Sequence, residues 1–193
     1  GMAAISTTLM GLLSQGDHIV ASSDVYGGTY GLMTEELPRF GIETTMADMQ
    51  DPSSYEAAIN ENTKMLYIET ITNPVIKICD IEAMSAIAKK HDLLLVIDNT
   101  FASPWGCQPI KFGADLVIHS TTKYLGGHSD IIGGAVVGKA DLIAKMFIKK
   151  VHFGGSPDPH NCYLLERGIR TLAARMPIPV SYTHLTLPTR RGV

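Results

Sequence analysis

Apolar and polar positions along this chain switch between a helical period and short unbroken apolar runs, and the switches mark out its elements. Residues 2–13 are small and apolar and stop near Gly16, which predicts a helix, and 18–21 is a short apolar run that predicts a strand. A helix is expected over 29–37, stopped by Pro38, and a strand over 42–46. Asp51 and Pro52 open a helix over 51–59, proline being preorganised for the first helical position. Residues 65–69 predict another strand. Over 80–90, Ile81, Met84, Ile87 and Ala88 share one helical face. Two fully apolar strands follow, 93–98 and 116–118, of the kind found where both faces of a sheet are covered. Residues 133–138 predict a further strand, and 141–151 and 161–176 predict helices.

Strand and helix alternate almost throughout, which argues for an α/β fold with a mostly parallel sheet covered by helices on both faces. There is no internal repeat. Pro177 and Pro179 interrupt the last helical pattern, and residues 177–193 have neither period. The expectation is one domain over 1–176 and a tail over 177–193 of irregular or alien character.

Chemistry enters at the ends of the apolar strands, where open α/β sheets place their ligands. The run Leu116, Val117, Ile118 leads into His119, Ser120, Thr121, Thr122 and Lys123, then Gly126 and Gly127. Ser120 and Thr122 offer hydroxyls suited to a phosphate, and Lys123 an amine able to form an imine with an aldehyde. The same residues would also suit an ordinary surface turn. The neighbouring strand ends in Asp98, a carboxylate that is costly there unless a cation or donor satisfies it. A protonated pyridine nitrogen is one such partner, and an aspartate on a pyridinium with a lysine in imine linkage is the signature of pyridoxal phosphate chemistry. A helix cap or turn at Asp98 and Asn99 is the competing reading.

Composition removes other classes. A net charge of −3 with no basic stripe speaks against nucleic acid as a partner. No apolar run approaches the roughly 20 residues of a membrane helix, and no leader-like segment opens the chain, so no membrane and a cytoplasmic location are expected. Cys79, Cys107 and Cys162 are widely spaced and suggest neither disulfide nor zinc. His119, His128 and His152 lack accompanying ligands, so packing or hydrogen bonding is expected of them and no metal. Residues 133–139 match most of a phosphate-binding P-loop, but Ala140 stands where its hydroxyl is required, and 133–137 reads better as a strand.

Six segments in order carry a closer likeness: Gly1-Met-Ala-Ala-Ile, Val25-Tyr-Gly-Gly-Thr, Glu69-Thr-Ile-Thr-Asn-Pro, Ile97-Asp-Asn-Thr-Phe-Ala-Ser-Pro, the stretch from His119 to Asp130, and Arg167-Gly-Ile-Arg-Thr-Leu. Over residues 1–176 the chain resembles the pyridoxal-phosphate-dependent trans-sulfuration (Cys/Met metabolism) enzymes, which include cystathionine γ-synthases and γ-lyases, methionine γ-lyases and O-acylhomoserine sulfhydrylases. The resemblance implies the large domain of the aspartate-aminotransferase-like fold (fold type I). It also implies pyridoxal 5'-phosphate as cofactor, and a C–S lyase or γ-replacement activity on sulfur amino acids or O-acylated homoserine.

Residue by residue, it implies that Lys123 is the Schiff-base lysine and that Asp98 faces the pyridine nitrogen. Gly1 and Met2 match backbone contacts to the phosphate at a helix N-terminus, and Ser120 and Thr122 its hydroxyl contacts. Tyr26 matches the ring-stacking tyrosine that can assist proton transfer, Asn73 a residue near the cofactor's phenolic oxygen and the substrate carboxylate, and Thr100 a neighbour of the ring. Arg167 and Arg170 match an interface or substrate-proximal helix, a solvated face being the alternative. Gly28 stands where methionine γ-lyases commonly carry cysteine.

Family members are about twice this length and work as homo-oligomers, dimers of dimers, on a small amino-acid substrate. The chain is expected to be truncated at both ends, without their N-terminal arm and C-terminal domain. Weak cofactor affinity and little turnover are therefore expected of it, and an inactive fragment that keeps only the cofactor-binding fold is the alternative.

Overall fold

The apolar runs pair edge to edge into one six-stranded sheet. In the computed structural model, which describes residues 1–178, the strands are β1 (His18–Ser22), β2 (Glu43–Ala47), β3 (Thr63–Glu69), β4 (Leu94–Asp98), β5 (Leu116–Ser120) and β6 (Gly134–Gly138). Their order across the sheet is β2-β1-β3-β4-β5-β6. All neighbours from β2 to β5 are parallel, and β6 runs antiparallel to β5. The direction of β6 follows from its connection. Between β5 and β6 the chain makes only one turn of helix, Thr121–Leu125, instead of the long crossover a parallel neighbour needs.

The helices are α1 (Met2–Leu12), α2 (Gly27–Gly31), α3 (Pro52–Ala58), α4 (Ile81–Lys90), the single turn α5 (Ser103–Gly106), α6 (Ala140–Phe153), α7 (Pro159–Arg170) and α8 (Leu172–Arg175). Side chains alternate between the sheet's faces, so each strand feeds two cores. On one face Ile19, Ala21, Met65, Tyr67, Val96, Leu116 and Ile118 pack with Ile5 and Leu9 of α1 and Leu142 and Met146 of α6. On the other, Val20, Leu66, Ile68, Leu95, Ile97 and Val117 pack with Tyr55 of α3 and Met84 and Ala88 of α4. Each of the larger aliphatic side chains among them contributes about 1.5–3 kcal/mol by leaving water. The expected arrangement, a mostly parallel sheet with helices on both faces, is the one observed.

Two helix boundaries differ from expectation. Pro38 does not stop the second helix: α2 continues through a wide turn (Leu32–Glu36) into a 3-10 turn (Leu37–Phe40) that starts at Leu37 and has Pro38 among its first residues, where a missing N–H costs nothing. The helix expected over 161–176 begins earlier, at Pro159 behind the Asp158 cap, and breaks at Thr171 into α7 and α8. The break lets Arg175 donate to the Tyr124 and Gly168 carbonyls. The tail expected over 177–193 lies, apart from its first two residues, outside the described residues. Among the described residues no helix is long and apolar enough to cross a membrane.

Candidate active site

Parallel strands end on the same side of a sheet, so β1, β3, β4 and β5 deliver the segments that follow them to one edge. The antiparallel β6 starts at that edge, and α1 begins there. The result is a cavity of about 1410 Å³ whose wall includes Gly1, Met2, Tyr26, Asn73, Asp98, Thr100, Ser120, Thr122 and Lys123. All nine residues singled out in the sequence meet there, from five separate segments.

Asp98, the last residue of β4, is only 8 % exposed. One carboxylate oxygen accepts from the Thr100 N–H at 2.9 Å, and no lysine or arginine among the described residues pairs with it. Burial, only partly opposed by Thr100, holds its carboxyl above the usual aspartate range. Thr100 also ties the next strand end in place, its hydroxyl accepting from the Ser120 N–H at 2.7 Å. Asn99, between them, is fully buried. It accepts from Thr70 Oγ1 at 2.7 Å and donates to the Ser103 and Cys107 carbonyls at 3.2 and 2.8 Å. The turn reading at Asp98 and Asn99 holds alongside the site reading: Asp98 accepts from the N–H two residues on and Asn99 braces the turn, while Asp98 also lines the cavity.

Beyond β5, Lys123 departs from helical backbone (φ −94°, ψ −128°) inside its turn. It is exposed and takes part in none of the ion pairs among the described residues. The loop that carries it is braced by α7, where Gly168 is required: a Cβ there would sit 2.4 Å from the Gly126 carbonyl. Arg167 pairs with Asp130 of the same loop and Arg170 with Glu166 at 2.5 Å, so Arg167 has a bracing role and Arg170 belongs to the solvated face.

The anion-holding groups sit together. The Met2 and Ala3 N–H groups, at the unpaired start of α1, have no partner among the described residues. Gly1, whose amine donates to the Gly133 carbonyl, lies against Ser120, whose Oγ is 3.0 Å from the position a Gly1 Cβ would take. The Ser120 hydroxyl is unpaired among the described residues. The Thr122 hydroxyl is already engaged, accepting from the Gly133 N–H at 3.0 Å.

Tyr26 is no core aromatic: its side chain is exposed, at 53 %. Its ring lies where a Gly28 side chain would be, the ideal Cβ falling 2.6 Å from Tyr26 Cε1 and 3.2 Å from Met2 Sδ. Asn73 is exposed on the loop after β3, which Lys77 links back to the Tyr26 segment by an ion pair to Asp24 at 2.7 Å. The residue that sequence reasoning passed over is Glu69. It ends the apolar strand β3 as Asp98 ends β4, and the two are register partners, so the signal that marked Asp98 was available. Glu69 is 6 % exposed and accepts from the Tyr26 N–H at 2.7 Å. Burial above all, with the Asp98 charge adding to it and the Tyr26 and Asn73 N–H groups opposing it, pushes its carboxyl up to about 7.

The rival sites fall away. Residues 134–138 are a strand, as argued against a P-loop. His119 is buried on β5 with Nδ1 unpaired, and burial lowers it to about 4. His128 Nδ1 is 2.7 Å from the Gly126 carbonyl. Among the described residues no cluster suited to a metal ion exists, and the three cysteines are free.

The donor set suits a phosphorylated pyridine aldehyde. The phosphate would meet the orphan N–H groups of α1 and the free Ser120 hydroxyl, a ring nitrogen would give Asp98 the positive partner it lacks, and Lys123 carries the amine. Comparison with known proteins agrees. A family model described as Cys/Met metabolism PLP-dependent enzyme matches residues 1–179. Cystathionine gamma-lyase of Bacillus subtilis (strain 168) is 50 % identical over 181 residues, covering 91 % of this chain and 46 % of that protein. L-methionine gamma-lyase of Porphyromonas gingivalis is 44 % identical over 179 residues, covering 91 % and 45 %. The crystal structure of cystathionine gamma-lyase from Lactobacillus plantarum complexed with L-serine superposes with a TM-score of 0.88 at 47 % identity, over 91 % of this chain and 46 % of that one. This chain spans about half the length of these relatives.

Proposed function

Since the chain belongs to the family of Cys/Met metabolism PLP-dependent enzymes, we propose that it forms the cofactor-binding large domain, residues 1–176, of an enzyme that cleaves or replaces a side-chain bond of a sulfur amino acid or an O-acylated homoserine. The observation that carries this reading is the meeting of Lys123, Asp98 and the anion-binding start of α1 in one cavity. Pyridoxal 5'-phosphate, when bound, supplies an electron sink for charge that develops at the substrate's Cα.

The chain's own groups take the remaining tasks. Met2 and Ala3 N–H with Ser120 Oγ hold the phosphate; of the other two contacts expected there, the Gly1 amine is turned to the Gly133 carbonyl and the Thr122 hydroxyl to the Gly133 N–H, so both steady the backbone beside it. Asp98 keeps a proton on the ring nitrogen, a task for which a buried carboxylate is well placed because water does not compete for its charge. Tyr26 would stack on the ring, and its hydroxyl can relay a proton; Asn73 would stand near the ring's phenolic oxygen and the substrate carboxylate, and Thr100 beside the ring. Lys123 Nζ would attach the cofactor and, once free, is an amine of the cavity wall able to take a proton from the substrate's Cα and return one further along the side chain. The same reading extends to a small amino-acid substrate and to a cytoplasmic homo-oligomer, a dimer of dimers.

The test is direct. Pyridoxal 5'-phosphate is added to the 193-residue chain, the imine absorbance band is recorded, and borohydride reduction followed by peptide mapping locates the adduct. The label is expected on Lys123 and absent in Lys123→Ala. Label on another lysine, or no band even in a version with restored termini, refutes the assignment.

A further inference from the structure

Glu69 is a buried carboxylate without a cation among the described residues, which is costly to keep. What it touches explains why it is kept. The Tyr26 carbonyl accepts from the Thr29 and Tyr30 N–H groups at 2.8 and 2.9 Å, so that side of the residue is held by α2. Its N–H is held by Glu69 Oε1 at 2.7 Å. With both backbone groups pinned, the remaining freedom of Tyr26 is its own side-chain torsions, and Gly28 leaves the room its ring occupies. Glu69 is itself fixed, as the last paired residue of β3 beside Asp98.

We propose that Glu69 is a positioning residue: its carboxyl group ties the start of α2 to the end of β3 and so sets the pose of the Tyr26 ring over the cavity. The proposal rests on the cofactor reading of the cavity, but its geometry does not depend on a ligand. A plain hydrogen-bond acceptor would satisfy the Tyr26 N–H equally well, so the length of the side chain matters more than its charge. Any change that withdraws the acceptor frees Tyr26.

The experiment compares Glu69→Ala, Glu69→Asp and Glu69→Gln in the 193-residue chain. Without cofactor, exchange of the Tyr26 amide is measured by NMR; with pyridoxal 5'-phosphate, the ellipticity of the cofactor band reports how the ring is seated. Alanine and aspartate, which remove or withdraw the acceptor, are expected to speed Tyr26 amide exchange at least tenfold and to lose most of the ellipticity. Glutamine, which keeps Oε1 in place, is expected to retain both. Unchanged amide exchange in Glu69→Asp, or in Glu69→Ala where that variant folds, overturns the proposal, as does lost ellipticity in Glu69→Gln. A parent chain labelled on another lysine refutes the reading of the site instead; there, and where the parent takes up no cofactor, the amide-exchange arm decides for Glu69 by itself.

Discussion

Replacing Glu69 by glutamine should make the cofactor-free protein more stable, and only above a definite pH. Burial raises the Glu69 carboxyl from 4.5 to about 7, and at 1.36 kcal/mol per pKa unit this corresponds to about 3 kcal/mol. The sign follows from which state holds the proton. Between pH 4.5 and 7 the folded chain keeps a proton that the unfolded chain has released, so folding is unpenalised below 4.5, weakens as pH rises, and carries the full cost above 7. Glutamine has no charge to desolvate and keeps an acceptor for the Tyr26 N–H; its amide gives up the acceptor facing the Asn73 N–H, a loss that does not change with pH. The stability of Glu69→Gln minus that of the parent should therefore climb by about 3 kcal/mol between pH 4 and pH 8. The difference, rather than either curve, is the quantity to use. His119, lowered to about 4 by burial, destabilises the fold as pH falls from 6.5 to 4 and would mask the parent's slope, but it contributes equally to both proteins. Urea denaturation at half-unit pH steps gives the two curves. A difference that stays flat or falls with pH would refute the claim that Glu69 is buried at an electrostatic cost.

Asp98→Asn removes the charge that the ring nitrogen would meet, so cofactor affinity in an absorbance titration should fall at least tenfold. The cofactor-free fold should meanwhile be as stable or more so at pH 8, because a desolvated carboxylate is gone. Asn99→Ala breaks three hydrogen bonds, two of them buried, and strands the Thr70 hydroxyl and the Cys107 carbonyl, the Ser103 carbonyl still accepting from Cys107 N–H; at about 1–3 kcal/mol per stranded group it should cost about 2–6 kcal/mol in denaturation, and an effect under 1 kcal/mol would contradict the network. Gly28→Ala must push the Tyr26 ring by roughly 1 Å to restore ordinary contact from 2.6 Å. Stability should change by less than about 1 kcal/mol, since an exposed ring can move, while the ellipticity of bound cofactor changes clearly.

Much of the fold is local in origin and was legible. The unbroken apolar runs at β4 and β5 pointed to strands covered on both faces, and both hydrophobic cores draw on them. Asp80 and Asp51 cap α4 and α3 by accepting from the Ala83 and Ser53 N–H groups, a pattern readable from residue type and spacing. The Pro38 boundary was misread because a proline at the start of a new turn and one that ends a helix look alike in sequence. The break at Thr171 was invisible because its reason, Arg175 reaching the Tyr124 carbonyl, spans 51 residues of chain.

By itself the sequence determined which residue types stand at each strand end: Lys123 after β5, Asp98 on β4, Tyr26 and Asn73 on their loops, and the small-residue start of α1. Those identities depend on neighbours a few positions away, and periodicity exposes them. Tertiary structure alone decided that these ends share one cavity, that β6 turns back antiparallel, and that Glu69 reaches Tyr26 across 43 residues. Such pairings are set by strand direction and register, which arise only when distant segments bury their faces together. A carboxylate at a strand end has no role until packing supplies its partner.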